Sequence, residues 1–174
     1  MPLSVEDLRE HLSYSAWATQ LLLQAAQQLT ETELHRDFQT ADHSIADTLA
    51  HTFAADRLWL RRLRGEPFRP PLVSERDHRL DVLTEEWPEL YRQWDGWLAG
   101  LDDTAVAADF SYQDIEGNAH TQPVWKLAMH VVNHGTHHRG QVSGFLRALG
   151  HTPPALDLTA YYREQRSSAM EAGS

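Results

Sequence analysis

Apolar positions recur with a helical period in four long stretches of the chain. Residues 3–29 carry the stripe Leu8, Leu12, Ser15, Ala18, Leu22, Ala25, Ala26 and Leu29, and Ser4 with Asp7 is placed to cap the start. A second capped start, Ser44 with Asp47, opens a helix that runs through Leu49, Phe53, Leu60 and Leu63 to Gly65. Pro67, Pro70 and Pro71 break the chain, and a third helix has its core over residues 84–101, packing Leu90, Trp94, Trp97, Leu98 and Leu101. Its tryptophans fill core or pocket wall, and Pro88 falls in the first turn, where a missing N–H is tolerated. The fourth stretch, residues 121–150, starts at Thr121 and Pro123 and stops at Gly150.

The intervals read differently. Residues 102–121 lack a helical pattern: Phe110 to Ile115 and Ala119 to Thr121 flank Glu116-Gly117-Asn118, which predicts a short hairpin or an extended loop. After Gly150, residues 153–158 read as extended, residues 159–166 as a helical turn and residues 167–174 as a mobile tail. The expected architecture is all-α, a four-helix bundle with long connections, in one domain over residues 1–166. A length of 174 residues with 41% hydrophobic content matches one core.

Composition narrows the function. There are no cysteines, so disulfides, zinc–thiolate sites and a cysteine nucleophile are excluded, and a metal must use imidazole, carboxylate or water. A net charge of -10 opposes binding to a nucleic-acid backbone. The basic cluster Arg57, Arg61, Arg62 and Arg64 reads as a solvated helix face. No apolar run reaches the roughly 18 residues of a membrane span, and Met1-Pro2-Leu3-Ser4-Val5-Glu6-Asp7 has no basic-then-apolar start, so a cytoplasmic protein is expected.

Histidines concentrate in the fourth stretch, at His130, His134, His137 and His138. His134 and His138 lie one turn apart on the face shared with Leu127, Val131, Val142, Phe145 and Leu149, so both point inward. Two imidazoles so spaced are able to hold one divalent ion. His130 is on the same face but about 12 Å along the axis from His138, too far to share that ion easily. The third ligand should come from another helix, and His51 is the leading candidate. Its side of the second helix, with Asp47, Thr48, Ala54, Ala55 and Leu58, is small and partly polar, as a pocket wall is. Asp47, one turn earlier, has two readings: an acceptor for the outer ring N–H of His51, or an ordinary helix-start carboxylate. His11 borders the first stripe and reads as a structural hydrogen-bonding residue.

The run from His130-Val131-Val132-Asn133-His134 to His138-Arg139-Gly140-Gln141-Val142 resembles the signature of the DinB family, within the DinB/YfiT-like metalloprotein superfamily. Tyr14 with Trp17-Ala18, His51 followed by Trp59 and Leu60, and Pro153-Pro154 leading to Asp157 are similar too, so the likeness spans nearly the whole chain. It implies a four-helix bundle, frequently a homodimer, with a divalent metal on His51, His134 and His138. His130 and His137 would be neighbours, and Arg139 and Gln141 mark the motif without an assigned chemical step. The ion expected is zinc or nickel, with iron or manganese as further choices.

In related branches the metal is thought to activate a low-molecular-weight thiol, so the resemblance implies a metal-dependent transferase acting on a small-molecule electrophile. The thiol would be a cosubstrate, since the chain has no cysteine. Metal-dependent hydrolysis is the alternative enzyme reading, although the motif lacks an HExxH-type glutamate. A non-catalytic metal- or ligand-binding module of the stress response is the alternative outside catalysis. Trp125, Met129, Val132 and Leu146 point away from the histidine face, an apolar second side compatible with burial in one chain or against a second copy.

Overall fold

The computed structural model describes residues 2–67 and 70–172. Its elements are α1 (Val5–Ala26), α2 (Glu31–Leu34), α3 (Ile45–Leu63), a 3-10 turn (Glu75–His78), α4 (Leu80–Leu98), α5 (Asp103–Ala107), β1 (Asp109–Gln113), β2 (Ala119–Pro123), α6 (Val124–Ala148) and α7 (Leu158–Ala172). The four long helices form the bundle. α1 packs on α4 and α6, and α3 packs on the same two, so the helices run around the bundle in the order α1, α4, α3, α6. The chain therefore crosses a diagonal between α1 and α3 and again between α4 and α6, which is what the long connections span. Among the described residues no helix is long and apolar enough to cross a membrane.

Local sequence sets the boundaries. Ser4 and Asp7 form a reciprocal capping box at α1, and Ser44 accepts from the Asp47 amide at α3. Gly65 (φ 75°) and Gly150 (φ 89°) take the left-handed conformation just past α3 and α6, where a Cβ would be strained. The core is filled by Leu8, Leu22, Ile45, Phe53, Leu60, Leu83, Trp87, Trp94, Leu98 and Leu146, all essentially inaccessible. On the second apolar side of α6, Val132 and Leu146 are buried within the single chain, whereas Trp125 and Met129 are partly exposed.

Four features depart from the sequence reading. α4 starts at Leu80, anchored behind the 3-10 turn whose buried Asp77 binds Arg57 at 2.8 and 3.0 Å, so Pro88 lies inside the helix and not in its first turn. It removes one rung of the ladder there. Residues 102–121 include a short helix, α5, capped by Asp102 on the Ala105 amide at 2.8 Å; five residues are too few to show a period. The expected hairpin follows, β1 pairing antiparallel with β2, with Gly117 at φ 90° in its turn. α7 continues past residue 166 to Ala172, docked through Tyr161 on Tyr14 and Trp17 of α1, while residues 173–174 of the expected tail lie outside the described residues. Finally, Arg62 is not part of a solvated face: it is 9% exposed.

Candidate metal centre

α3 and α6 face each other at the level of His51 and His134. The Nε2 atom of His134 stands 3.2 Å from His51 Nε2 and 3.1 Å from His138 Nε2. His51 and His134 are half-buried and His138 is buried. The i, i+4 spacing on α6 supplies two of the three rings, and the α3–α6 packing supplies the third.

An imidazole nitrogen offers one hydrogen or one lone pair in the ring plane, so His134 Nε2 makes at most one hydrogen bond to its two neighbours. Two nitrogens each about 2.1 Å from one tetrahedral ion lie about 3.4 Å apart, close to both separations. His134 Nδ1 is buried without a partner among the described residues, which leaves the cluster as that ring's polar environment. Burial, reinforced by the neighbouring histidines, pushes the His134 pKa down to about 3. His138 is lowered too, chiefly by burial, with the Gln141 contact opposing. Rings held neutral keep the lone pairs that metal ligation needs. On this chemistry the three residues fit a divalent ion.

The outer nitrogen of His138 is held by residues the sequence reading did not place there. Gln141 Oε1 lies 2.5 Å from His138 Nδ1, and Asp42 Oδ2 lies 3.3 Å from it. Donation from Nδ1–H to these acceptors fixes the tautomer with its lone pair on Nε2, toward the cluster. Asp42 comes from the loop before α3, where Gln39 and His43 adopt positive φ and Phe38 stacks on Phe145 of α6, ring centres 4.2 Å apart. Gln141 was legible as an i+3 neighbour; Asp42 belongs to a loop without periodicity. Asp47, the candidate partner of His51, instead accepts from Ser44 Oγ at 2.6 Å and pairs with His78 at 3.0 Å, which is the helix-start reading.

The remaining histidines surround the cluster. His130 is exposed, its ring centre 5.1 Å from Trp59 and 5.8 Å from His134, and burial of part of the ring lowers its pKa. His137 is exposed beside His138. His11 Nδ1 meets the Asp7 carbonyl oxygen at 2.8 Å, a local helix contact.

Behind the histidines, Arg139 turns toward α1. It is buried, donates to Thr136 Oγ1 at 3.0 Å and lies over the Tyr14 ring. A Cβ on Gly135 would stand 2.7 Å from its Nη1, so the missing side chain makes room for the guanidinium. Asp56, a further residue not singled out from sequence, is buried where Trp87 Nε1 and Tyr91 Oη donate to it at 3.0 and 3.1 Å. Burial raises its pKa to about 6, against the lowering effects of the Trp87 bond, the Arg139 charge and the Tyr91 bond.

Fold and site together define a helical bundle with a three-histidine cluster shared between two facing helices. The chain belongs to the DinB family, whose profile matches residues 1–171. It is 25% identical over 155 residues to protein DinB of Bacillus subtilis strain 168, covering 85% of this chain and 89% of the relative. A crystal structure of a DinB-like protein from Bacillus cereus ATCC 10987 is similar in fold, with a TM-score of 0.61 at 20% identity, covering 89% of this chain and 99% of that one.

Proposed function

We propose that His51, His134 and His138 hold one divalent metal ion, and that the protein is a transferase that uses it to activate a low-molecular-weight thiol for attack on a small electrophile. The observation that carries the metal reading is the convergence of three Nε2 atoms, at 3.1 and 3.2 Å, from two helices. Bound to three neutral imidazoles, such an ion keeps its +2 charge and lowers the pKa of a coordinated thiol or water. The chain's own part is to hold the rings. Burial keeps His134 and His138 neutral, and Gln141 and Asp42 orient His138. His51 and His134 are each partly exposed, whereas His138 is buried.

Transfer is favoured over hydrolysis by the placement of carboxylates. Asp42 is turned to the outer nitrogen of His138, where it orients a ring and is not positioned as a base for water. With no cysteine in the chain, the sulfur must arrive with a cosubstrate.

Elemental analysis of protein purified without a metal-affinity tag, beside His51→Ala and His134→Ala, tests the metal. One ion per chain in the parent and loss in both variants is expected; a parent that takes up none after incubation with zinc, nickel or manganese overturns the reading. The transferase half is tested by offering the loaded protein glutathione or cysteine with 1-chloro-2,4-dinitrobenzene. Conjugation faster than with either variant is expected, and equal rates across a broad thiol and electrophile panel would leave metal binding without this activity.

A further inference from the structure

The C-terminal part of α3 and the β1–β2 hairpin border an open cleft of about 610 Å³, within the size range of small-molecule sites. Arg62, Phe110, Tyr112 and Ile115 line it, together with the carboxylates of Glu66 and Asp114. Arg62 lies eleven positions after His51 on one helix, about 16 Å along the axis, so this cleft is distinct from the histidine cluster.

Arg62 is the unusual member. Its Nε and Nη2 are buried and have no hydrogen-bond partner among the described residues. The guanidinium carbon lies 4.9 Å from the centre of the Trp59 ring and 5.7 Å from that of Tyr112, and these two rings meet edge to face at 5.1 Å. The aromatic pair fixes the guanidinium fork without accepting its hydrogen bonds in the plane.

The carboxylates beside it are engaged elsewhere. Glu66 takes Arg61 at 2.9 Å. Asp114 takes His120 at 2.9 Å and the Asn118 side-chain amide at 3.1 Å. Burial lowers the Arg62 pKa, and attractions to Tyr112 and Asp114 oppose it. Among the described residues the other buried arginine with partnerless nitrogens, Arg139, stands in the field of the buried Asp56 inside the bundle. Arg62 feels the charge of Asp114 across the cleft but makes no hydrogen bond to it, and a buried fork whose in-plane donors are unmet matches a planar oxyanion. Three residues of the lining add apolar surface: Ile115 is 62% exposed, with the half-buried rings of Phe110 and Tyr112 beside it.

We propose that this cleft binds a small organic carboxylate bearing an apolar or aromatic group, with the carboxylate on Arg62 and the apolar part against Phe110, Tyr112 and Ile115. The site does not depend on the metal reading. It uses no histidine of the cluster.

Phenylacetate is a suitable probe, with phenylacetamide as its neutral counterpart of the same shape and inorganic phosphate as an anion without the apolar part. Calorimetric titration of the full chain should give saturable phenylacetate binding at least ten-fold tighter than either control. In heteronuclear NMR the Arg62 Nε–H resonance, identified by its absence from R62Q, should shift along the same titration. R62Q should weaken phenylacetate binding ten- to hundred-fold and leave phenylacetamide binding unchanged. No saturation by phenylacetate, equal binding of the amide, or undiminished binding by a folded R62Q overturns the site. Phosphate binding as tightly as phenylacetate overturns the assignment to apolar carboxylates. Should R62Q not fold, the comparison of acid with amide on the parent protein decides alone.

Discussion

Gln141 Oε1 sits 2.5 Å from His138 Nδ1, three residues along one helix, and this contact decides which nitrogen of His138 faces His51 and His134. With Nδ1 donating outward, Nε2 keeps the lone pair directed at its two partners. Gln141→Leu removes the acceptor and is expected to weaken zinc binding by about 10- to 100-fold, the usual effect of losing such an outer contact. Asp42→Asn should have a smaller effect, since Asp42 is the more distant acceptor at 3.3 Å. Competition with a chromogenic chelator measures both. Unchanged affinity in Gln141→Leu would show that the tautomer is fixed by something else.

Asp56 predicts a pH dependence of a definite sign. Its pKa is raised from 3.8 to about 6 by burial. Between these values the unfolded chain has lost the proton and the folded protein retains it, so folding binds protons there. The contribution is complete below the unfolded value and is lost as pH rises through about 6. Asp56→Asn cannot titrate, so its stability relative to the parent should rise from pH 4 to pH 7 by up to about 3 kcal/mol and then level off. Urea denaturation of both proteins with chelator present isolates the effect, because the histidines are common to both. A difference independent of pH would mean that Asp56 is ionised in its pocket throughout.

Much of this was legible from residue spacing. His134 and His138 share a face because helical spacing requires it, and the capping pairs Ser4/Asp7 and Ser44/Asp47 mark real helix starts. The family resemblance rests on the same motif. What spacing could not carry was tertiary. Arg62 belongs to a run of arginines that looks solvated, but it is buried, its guanidinium against Trp59 of its own helix and Tyr112 of the hairpin. Asp42 reaches His138 because a loop with two left-handed residues turns it there, and nothing periodic announces such a turn. Pro88 looked like a helix start because proline is tolerated there, whereas the packing of Val82 and Leu83 extends α4 back to Leu80.

Two tryptophans on α4 provide a paired test of burial against hydrogen bonding. Trp87 and Trp94 are both inaccessible, at 1% and 0% exposure. Trp87 Nε1 donates to Asp56 at 3.0 Å, whereas Trp94 Nε1 has no partner among the described residues. Phenylalanine at either position loses similar apolar contact, but only Trp87→Phe strips a donor from a buried carboxyl. Trp87→Phe should therefore cost about 1–3 kcal/mol more than Trp94→Phe. Equal losses in chemical denaturation would assign both tryptophans to packing alone.

Tyr14 ties α1 to the extended segment before α7, its hydroxyl donating to the Leu156 carbonyl oxygen at 2.8 Å. The same ring meets Tyr161 of α7 edge-on at 5.8 Å and lies under the Arg139 guanidinium at 5.3 Å. One residue thus joins the C-terminal segment to the helix that carries His134 and His138. Tyr14→Phe preserves the ring contacts and removes only the hydroxyl. The half-buried Leu156 can recover a partner from water, which limits the expected loss to about 1 kcal/mol. Hydrogen exchange should localise the consequence: amides of residues 155–161 should exchange faster while those at the centres of α3 and α6 do not change. Faster exchange in α6 as well would make Tyr14 a support of the histidine helix through Arg139, and a drop in metal affinity would then accompany it.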